Sequence, residues 1–226
     1  MLSEGIAQFG ALRTVEEIEG SKAAERFRKF GYKTNSKHSA VGYFRLALDG
    51  KDLPITSYEP KNQGEIINMH RLTNSKGFII FDMLYRRIGD DKFSDILKNF
   101  IRENSERKIS WQDFQTAIEV GADEGIRWFF EQWLERTGAP DFQLSWQQTD
   151  SRLIGSIDQP SPYFRTSMEI QVKGENQSLW KTIEITGEQT TFQFNVPFKA
   201  DSVLIDPHYK ILHWTPDIRA QLDSLP

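Results

Sequence analysis

The chain contains no cysteine. Disulfides, thiolate–metal sites and a cysteine nucleophile are therefore excluded. No apolar run approaches the roughly 18 residues of a membrane-spanning helix; the most apolar stretch, "GFIIFDMLY", is far too short. Positive charge is not in surplus either: the net charge is −4, so there is no polybasic footprint for nucleic acid or anionic lipid. Histidine is scarce, with only His38, His70, His208 and His213. No H-E-x-x-H occurs and no two histidines lie four apart, so no helix of this chain presents a histidine pair to a metal. The pair His208 and His213 brackets a turn, a spacing more often produced by chance than by metal ligation, and His38 and His70 fall in segments read as solvated loop. G-x-S-x-G, the P-loop and G-x-G-x-x-G are all missing.

What is present suffices for one large domain or two small ones: 226 residues, 38% hydrophobic and 27% charged. The pattern changes near Pro140. Before it, apolar residues recur every three or four. Ile6, Phe9, Leu12, Val15 and Ile18 form one stripe as far as Gly20, with Ser3 as a possible cap and Glu4 favourable to the dipole of the first turn. Ala23, Ala24, Phe27 and Phe30 continue to Gly31. From Lys33 to about Gln63 no period is sustained, and Asn35, Gly42, Gly50, Pro54 and Pro60 mark a long loop. Helical spacing resumes at Gly77 with Ile80, Phe81 and Leu84, then Phe93, Ile96, Leu97, Phe100 and Ile101. Ser110 and Asp113 form a capping box ahead of Phe114, Ala117 and Ile118. The last helix, "EGIRWFFEQWLERTG", turns Trp128, Phe129, Trp133 and Leu134 inward and stops at Gly138. After Pro140 the apolar residues alternate: Phe142, Leu144 and Trp146; Met168, Ile170 and Val172; Ile183 and Ile185; Phe192, Phe194 and Val196; Val203 and Ile205. Seven short strands in a small antiparallel sandwich are expected, and the polar stretch from Thr215 reads as a fraying tail. The fold class is thus α+β, with a helical part over 1–139, a β-sandwich over 140–214 and a tail over 215–226.

These residues alone give no complete active site. Four stretches in order, however, resemble peptidase family M1, the gluzincin zinc aminopeptidases related to aminopeptidase N. They are "LSEGIAQF", "NSKGFIIFDMLYRRIGDDKFSDILKNFI", "SWQDFQTAIEVGADEGIRWFFEQWLERTGAPDFQLSW" and, near the end, "ADSVLIDPHYKIL". The resemblance implies a longer parent enzyme, a zinc-dependent metallopeptidase that removes N-terminal residues from peptides by zinc-activated water. In the family, H-E-x-x-H supplies two ligands and a general base, and a glutamate on the next helix, in an "EG" motif, supplies the third ligand. Glu4 falls on that position. The resemblance therefore implies zinc in the parent, with a peptide substrate. This chain would be a C-terminal fragment, inactive by itself and without bound zinc, since one carboxylate is too few ligands. Its compartment is left open. Its first helix would have an uncovered apolar face and could self-associate through it.

One position departs from the family pattern. A tyrosine that stabilises the oxyanion precedes x-K-G there, and here the residue is Asn74. Tyr43 or Tyr58 in the long loop could take its place, or the fold could serve as a non-catalytic scaffold or interaction module. A two-domain binding protein whose sandwich recognises protein or glycan is a reading from fold class alone.

Overall fold

A computed structural model describes residues 2–32, 37–56, 59–122 and 125–224; Tyr58 lies outside them. The chain forms two compact units, residues 1–138 and 139–226.

The first unit is helical. Helix α1 (Leu2–Glu19) and α2 (Ser21–Phe30) meet at Gly20. They are followed by α3 (Ala40–Leu48), α4 (Gln63–Ile88), α5 (Asp90–Asn104), α6 (Trp111–Gly121) and α7 (Arg127–Phe130). Helix α7 runs on into a π-helical turn, Glu131–Glu135. The α1 stripe packs as its period requires: Phe9, Leu12 and Val15 are buried, Ile6 is half-buried, and Ile18 at the end is exposed. The capping box of Ser110 and Asp113 is present in full. Around Phe81 the core is largely aromatic, with Phe9, Trp111 and Phe114 all against its ring.

The structure corrects the reading of the stretch between Lys33 and Gly77 in two places. Helix α3 is buried through Ala40, Val41, Tyr43, Phe44 and Leu46. A helix that is apolar on most sides shows no amphipathic period, so none was visible. Gly42, a supposed breaker, sits inside it. A Cβ there would lie 2.2 Å from the Lys37 carbonyl oxygen, so the glycine admits the incoming chain instead of stopping the helix.

Helix α4 likewise begins at Gln63, not Gly77, with the Asn62 side chain accepting from the Glu65 amide at 3.0 Å. The run "TNS" in its middle reads as loop because such side chains compete for backbone groups. Here they bond within the helix. Thr73, Asn74 and Ser75 donate to the carbonyls of Met69, His70 and Arg71 at 3.0, 2.7 and 2.7 Å.

The second unit holds two three-stranded antiparallel sheets. One has the order β1 (Gln143–Thr149), β2 (Arg152–Asp158), β5 (Gln189–Asn195); the other has the order β4 (Ser178–Ile185), β3 (Thr166–Lys173), β6 (Ser202–Ile205). Strand β3 alternates as expected, with Met168, Ile170 and Val172 fully buried. Strand β2 shows little alternation in sequence, because Gly155 stands between Leu153 and Ile157. Among the described residues there are six strands where seven are expected, and the segment around Ile211 is irregular. The segment after Thr215 is a helix: α8 (Pro216–Asp223) is capped by Thr215 and anchored by buried Ile218.

Candidate active site

Two glycines fix the geometry of the site. An added Cβ on Gly5 would lie 2.9 Å from Cε2 of Phe81 and 3.4 Å from the Gly77 carbonyl carbon. One on Gly77 would lie 3.6 Å from the Gly5 Cα. Helices α1 and α4 thus cross backbone against backbone, where only small residues permit close approach. The glycine of "EG" and the glycine of "KG" are the two sides of this one crossing, which explains why both short motifs carry it. Glu4 is the residue before the crossing on α1. On α4, His70, Asn74 and Gly77 share one helical stripe at spacings of four and three.

Glu4 is half-buried. Its Oε2 accepts from the Ser3 hydroxyl at 2.9 Å, and His70 Nδ1 stands 3.5 Å from its Oε1. Ser3, expected as a cap, therefore lies within the first turn and braces the carboxylate. His70, expected in loop, is on α4 and belongs to this site; its side chain is 57% exposed. No helical period is sustained around "NMHRLTNS", so the local sequence does not show where this residue stands relative to Glu4.

Asn74 is on the same stripe, but its amide is engaged within its own helix, donating to the His70 carbonyl. Tyr43 does not replace it. That ring is fully buried, and its hydroxyl donates to Asp52 Oδ2 at 2.6 Å.

Next to Asn74, Lys76 points the other way, into the core. Its Nζ donates to the Arg136 carbonyl at 3.1 Å and lies 3.6 Å from Asp52 Oδ1. Burial pushes its pKa down, against the opposing pull of Asp52. Asp52 also accepts from the Gly138 amide at 2.6 Å, so this buried group ties the site-bearing turn of α4 to the end of the helical unit.

The remaining histidines have other neighbours. His213 is buried, with Nε2 3.3 Å from Asp206 Oδ2, and its ring stacks on Tyr209. Asp206 also accepts from the amides of Lys210 and Ile211 at 2.8 and 2.9 Å. Burial works to raise its pKa, but His213 and those amides outweigh it and hold the carboxyl below the ordinary value. His208 stacks on Trp180, and half-buried His38 lies beside α3. Among the described residues no group of three or more His, Asp or Glu could hold a metal ion, and no helix is long and apolar enough to cross a membrane.

Comparison with solved structures finds the aminopeptidase A of Legionella pneumophila, determined in complex with aspartic acid. It has a TM-score of 0.68 and 16% identity over 93% of this chain. The match covers 23% of that protein, so the present chain spans about a quarter of its length. At this identity the likeness speaks for the fold. No curated protein matches the chain in sequence. The sequence profile of the Peptidase family M1 domain does match, over residues 1–133. That span is more than half of the chain and includes Glu4, Gly5, Asn74 and Gly77, the residues that make and flank the crossing, and on this match the chain belongs to peptidase family M1.

Proposed function

We propose that this chain is part of a zinc-dependent metallopeptidase of aminopeptidase type, and that Glu4 is the third zinc ligand of its active site. The observation that carries the reading is the position of Glu4 on the first turn of α1, at the Gly5–Gly77 crossing, with an imidazole 3.5 Å away. A carboxylate oxygen is a donor that zinc accepts. Glu4 fits the ion as one member of a set whose two histidines and general base have no counterpart in this sequence. When bound, the metal would polarise the scissile carbonyl and make water nucleophilic at neutral pH. The share of this chain is to place one negative oxygen donor, with Ser3 fixing the carboxylate from the other side. Alone, the 226-residue chain supplies too few ligands and is expected to hold no stoichiometric zinc and to hydrolyse no peptide.

The test is zinc quantification and turnover of aminoacyl substrates in the longer protein, with Glu4→Gln as the variant. Stoichiometric zinc and turnover, both lost in the variant, are expected. A longer protein without zinc, or with zinc unaffected by the variant, would overturn the reading.

A non-catalytic scaffold is the second reading, and Asn74 favours it. The amide is turned onto the His70 carbonyl at 2.7 Å, and its side chain is shorter than the family's tyrosine, so it is a weaker oxyanion donor at that position. Loss of one such donor costs on the order of a hundredfold in rate. Zinc retained without measurable turnover would select this reading.

A further inference from the structure

We infer that His70 is a positioning residue for Glu4, orienting the carboxylate through Nδ1 so that it meets a metal ion in one geometry; this rests on the zinc reading of Glu4. Two observations carry it. The first is the approach itself, with Nδ1 of His70 3.5 Å from Oε1 of Glu4 while the Ser3 hydroxyl occupies Oε2 at 2.9 Å. The carboxylate thus has polar neighbours from both helices, Ser3 on α1 and His70 on α4. A distance at the outer edge of hydrogen bonding is common in unligated sites and shortens on binding.

The second observation is the bracing of the turn that carries His70. Its carbonyl receives two side-chain donors, Asn74 Nδ2 at 2.7 Å and Thr73 Oγ1 at 3.2 Å. Asn74 thereby acquires a role: it stiffens the turn that presents the imidazole. Ligating carboxylates are held by outer partners in this way, and removal of such a partner costs roughly 10–100-fold in metal affinity. Because the approach is across the α1–α4 crossing, the close packing of Gly5 on Gly77 sets its length.

The experiment uses the longer protein that contains this chain and compares His70→Leu, His70→Asn and Glu4→Gln. Zinc affinity is measured by competition with a chromogenic chelator, and the cobalt-substituted forms are compared by visible spectroscopy. His70→Leu should weaken zinc by about tenfold or more and shift the cobalt bands. His70→Asn, whose amide nitrogen stands where Nδ1 stood, should restore most of the affinity. If Glu4→Gln loses zinc while His70→Leu binds as tightly as the wild type, the role of His70 is refuted and the zinc reading stands. If His70→Asn is as weak as His70→Leu, the effect is one of packing and the positioning role is likewise refuted. If the wild type binds no zinc, or Glu4→Gln leaves binding unchanged, both fall together.

Discussion

The same pair of helices carries two acidic residues in opposite circumstances. At one end of α1, Glu4 has a hydroxyl on one oxygen and an exposed imidazole near the other. About three turns along, Glu16 is surrounded by guanidinium groups: Arg13 from its own helix, Arg28 of α2 at 3.2 Å and Arg86 of α4 at 3.0 Å. Arg28 and Arg86 also share Asp82 at 2.7 and 3.1 Å, and Arg28 and Asp82 are almost fully buried. Burial works to raise the Glu16 pKa, but Arg28, Arg86 and Arg13 outweigh it and hold the carboxyl low. A carboxylate whose charge is met inside the fold joins helices together. Glu4, by contrast, has a hydroxyl and an imidazole among its neighbours and stands half-buried at a helix crossing. Charge alone does not distinguish the two glutamates; the identity of their neighbours does.

The contrast can be broken at its strongest point first. Asp82→Ala leaves Arg28 buried against a single half-exposed carboxylate and should destabilise the helical unit by about 3–5 kcal/mol, read by denaturant unfolding of the 226-residue chain. A loss below 1 kcal/mol would mean that the network is not a structural joint.

The β unit extends the comparison, since Asp206, like Asp82, is a buried carboxylate with a cation-forming side chain beside it. Its folded pKa lies below the ordinary value, so its contribution is complete above about pH 4 and is lost as pH falls through the lower, folded value. Asp206→Asn should cost about 1.5–3 kcal/mol near neutrality and flatten this acid dependence, as followed by thermal melting across pH. An unchanged acid limb would remove Asp206 as its source.

The crossing offers an asymmetric test. Gly5→Ala drives a methyl group into the Phe81 ring and should cost about 1–2 kcal/mol. Gly77→Ala meets only ordinary contact at 3.6 Å and gains helix propensity, so it should be neutral or stabilising by up to about 1 kcal/mol. Equal losses from both would show that the contact is tighter than the geometry indicates. The smallest expected effect completes the contrast. Glu4→Gln and His70→Leu should each change stability by no more than about 0.5 kcal/mol, because these side chains serve the site and not the core. A large loss in either would move Glu4 into the same class as Glu16.

Much of the fold was legible where local pattern and tertiary contact agree. The stripe of Phe9, Leu12 and Val15, the Ser110–Asp113 box and the alternation of Met168, Ile170 and Val172 all follow from period and capping. Legibility failed where tertiary burial replaced period. Helix α3 is apolar on most sides, and the first half of α4 hides its helix behind Thr73, Asn74 and Ser75, whose side chains bond to preceding carbonyls instead of ending the turn. The tail from Thr215 looked polar because its helix buries one anchor, Ile218, on an otherwise wet surface. In the candidate site, Glu4 and Asn74 could be picked out by their motifs, whereas His70 required the helix to be known first.

By itself the sequence determined the two-part α+β order, the absence of thiol and membrane-helix chemistry, and the presence of "EG" and "KG" segments, because composition and short-range periodicity are properties of neighbours along the chain. Only the tertiary structure decided that the two glycines are a single crossing, that Glu4 faces His70 while Asn74 bonds its own helix, and that Glu16 is sealed by arginines. Those facts depend on residues tens of positions apart, and the charge or hydrogen bond that a side chain meets across a helix contact leaves no trace in its local sequence.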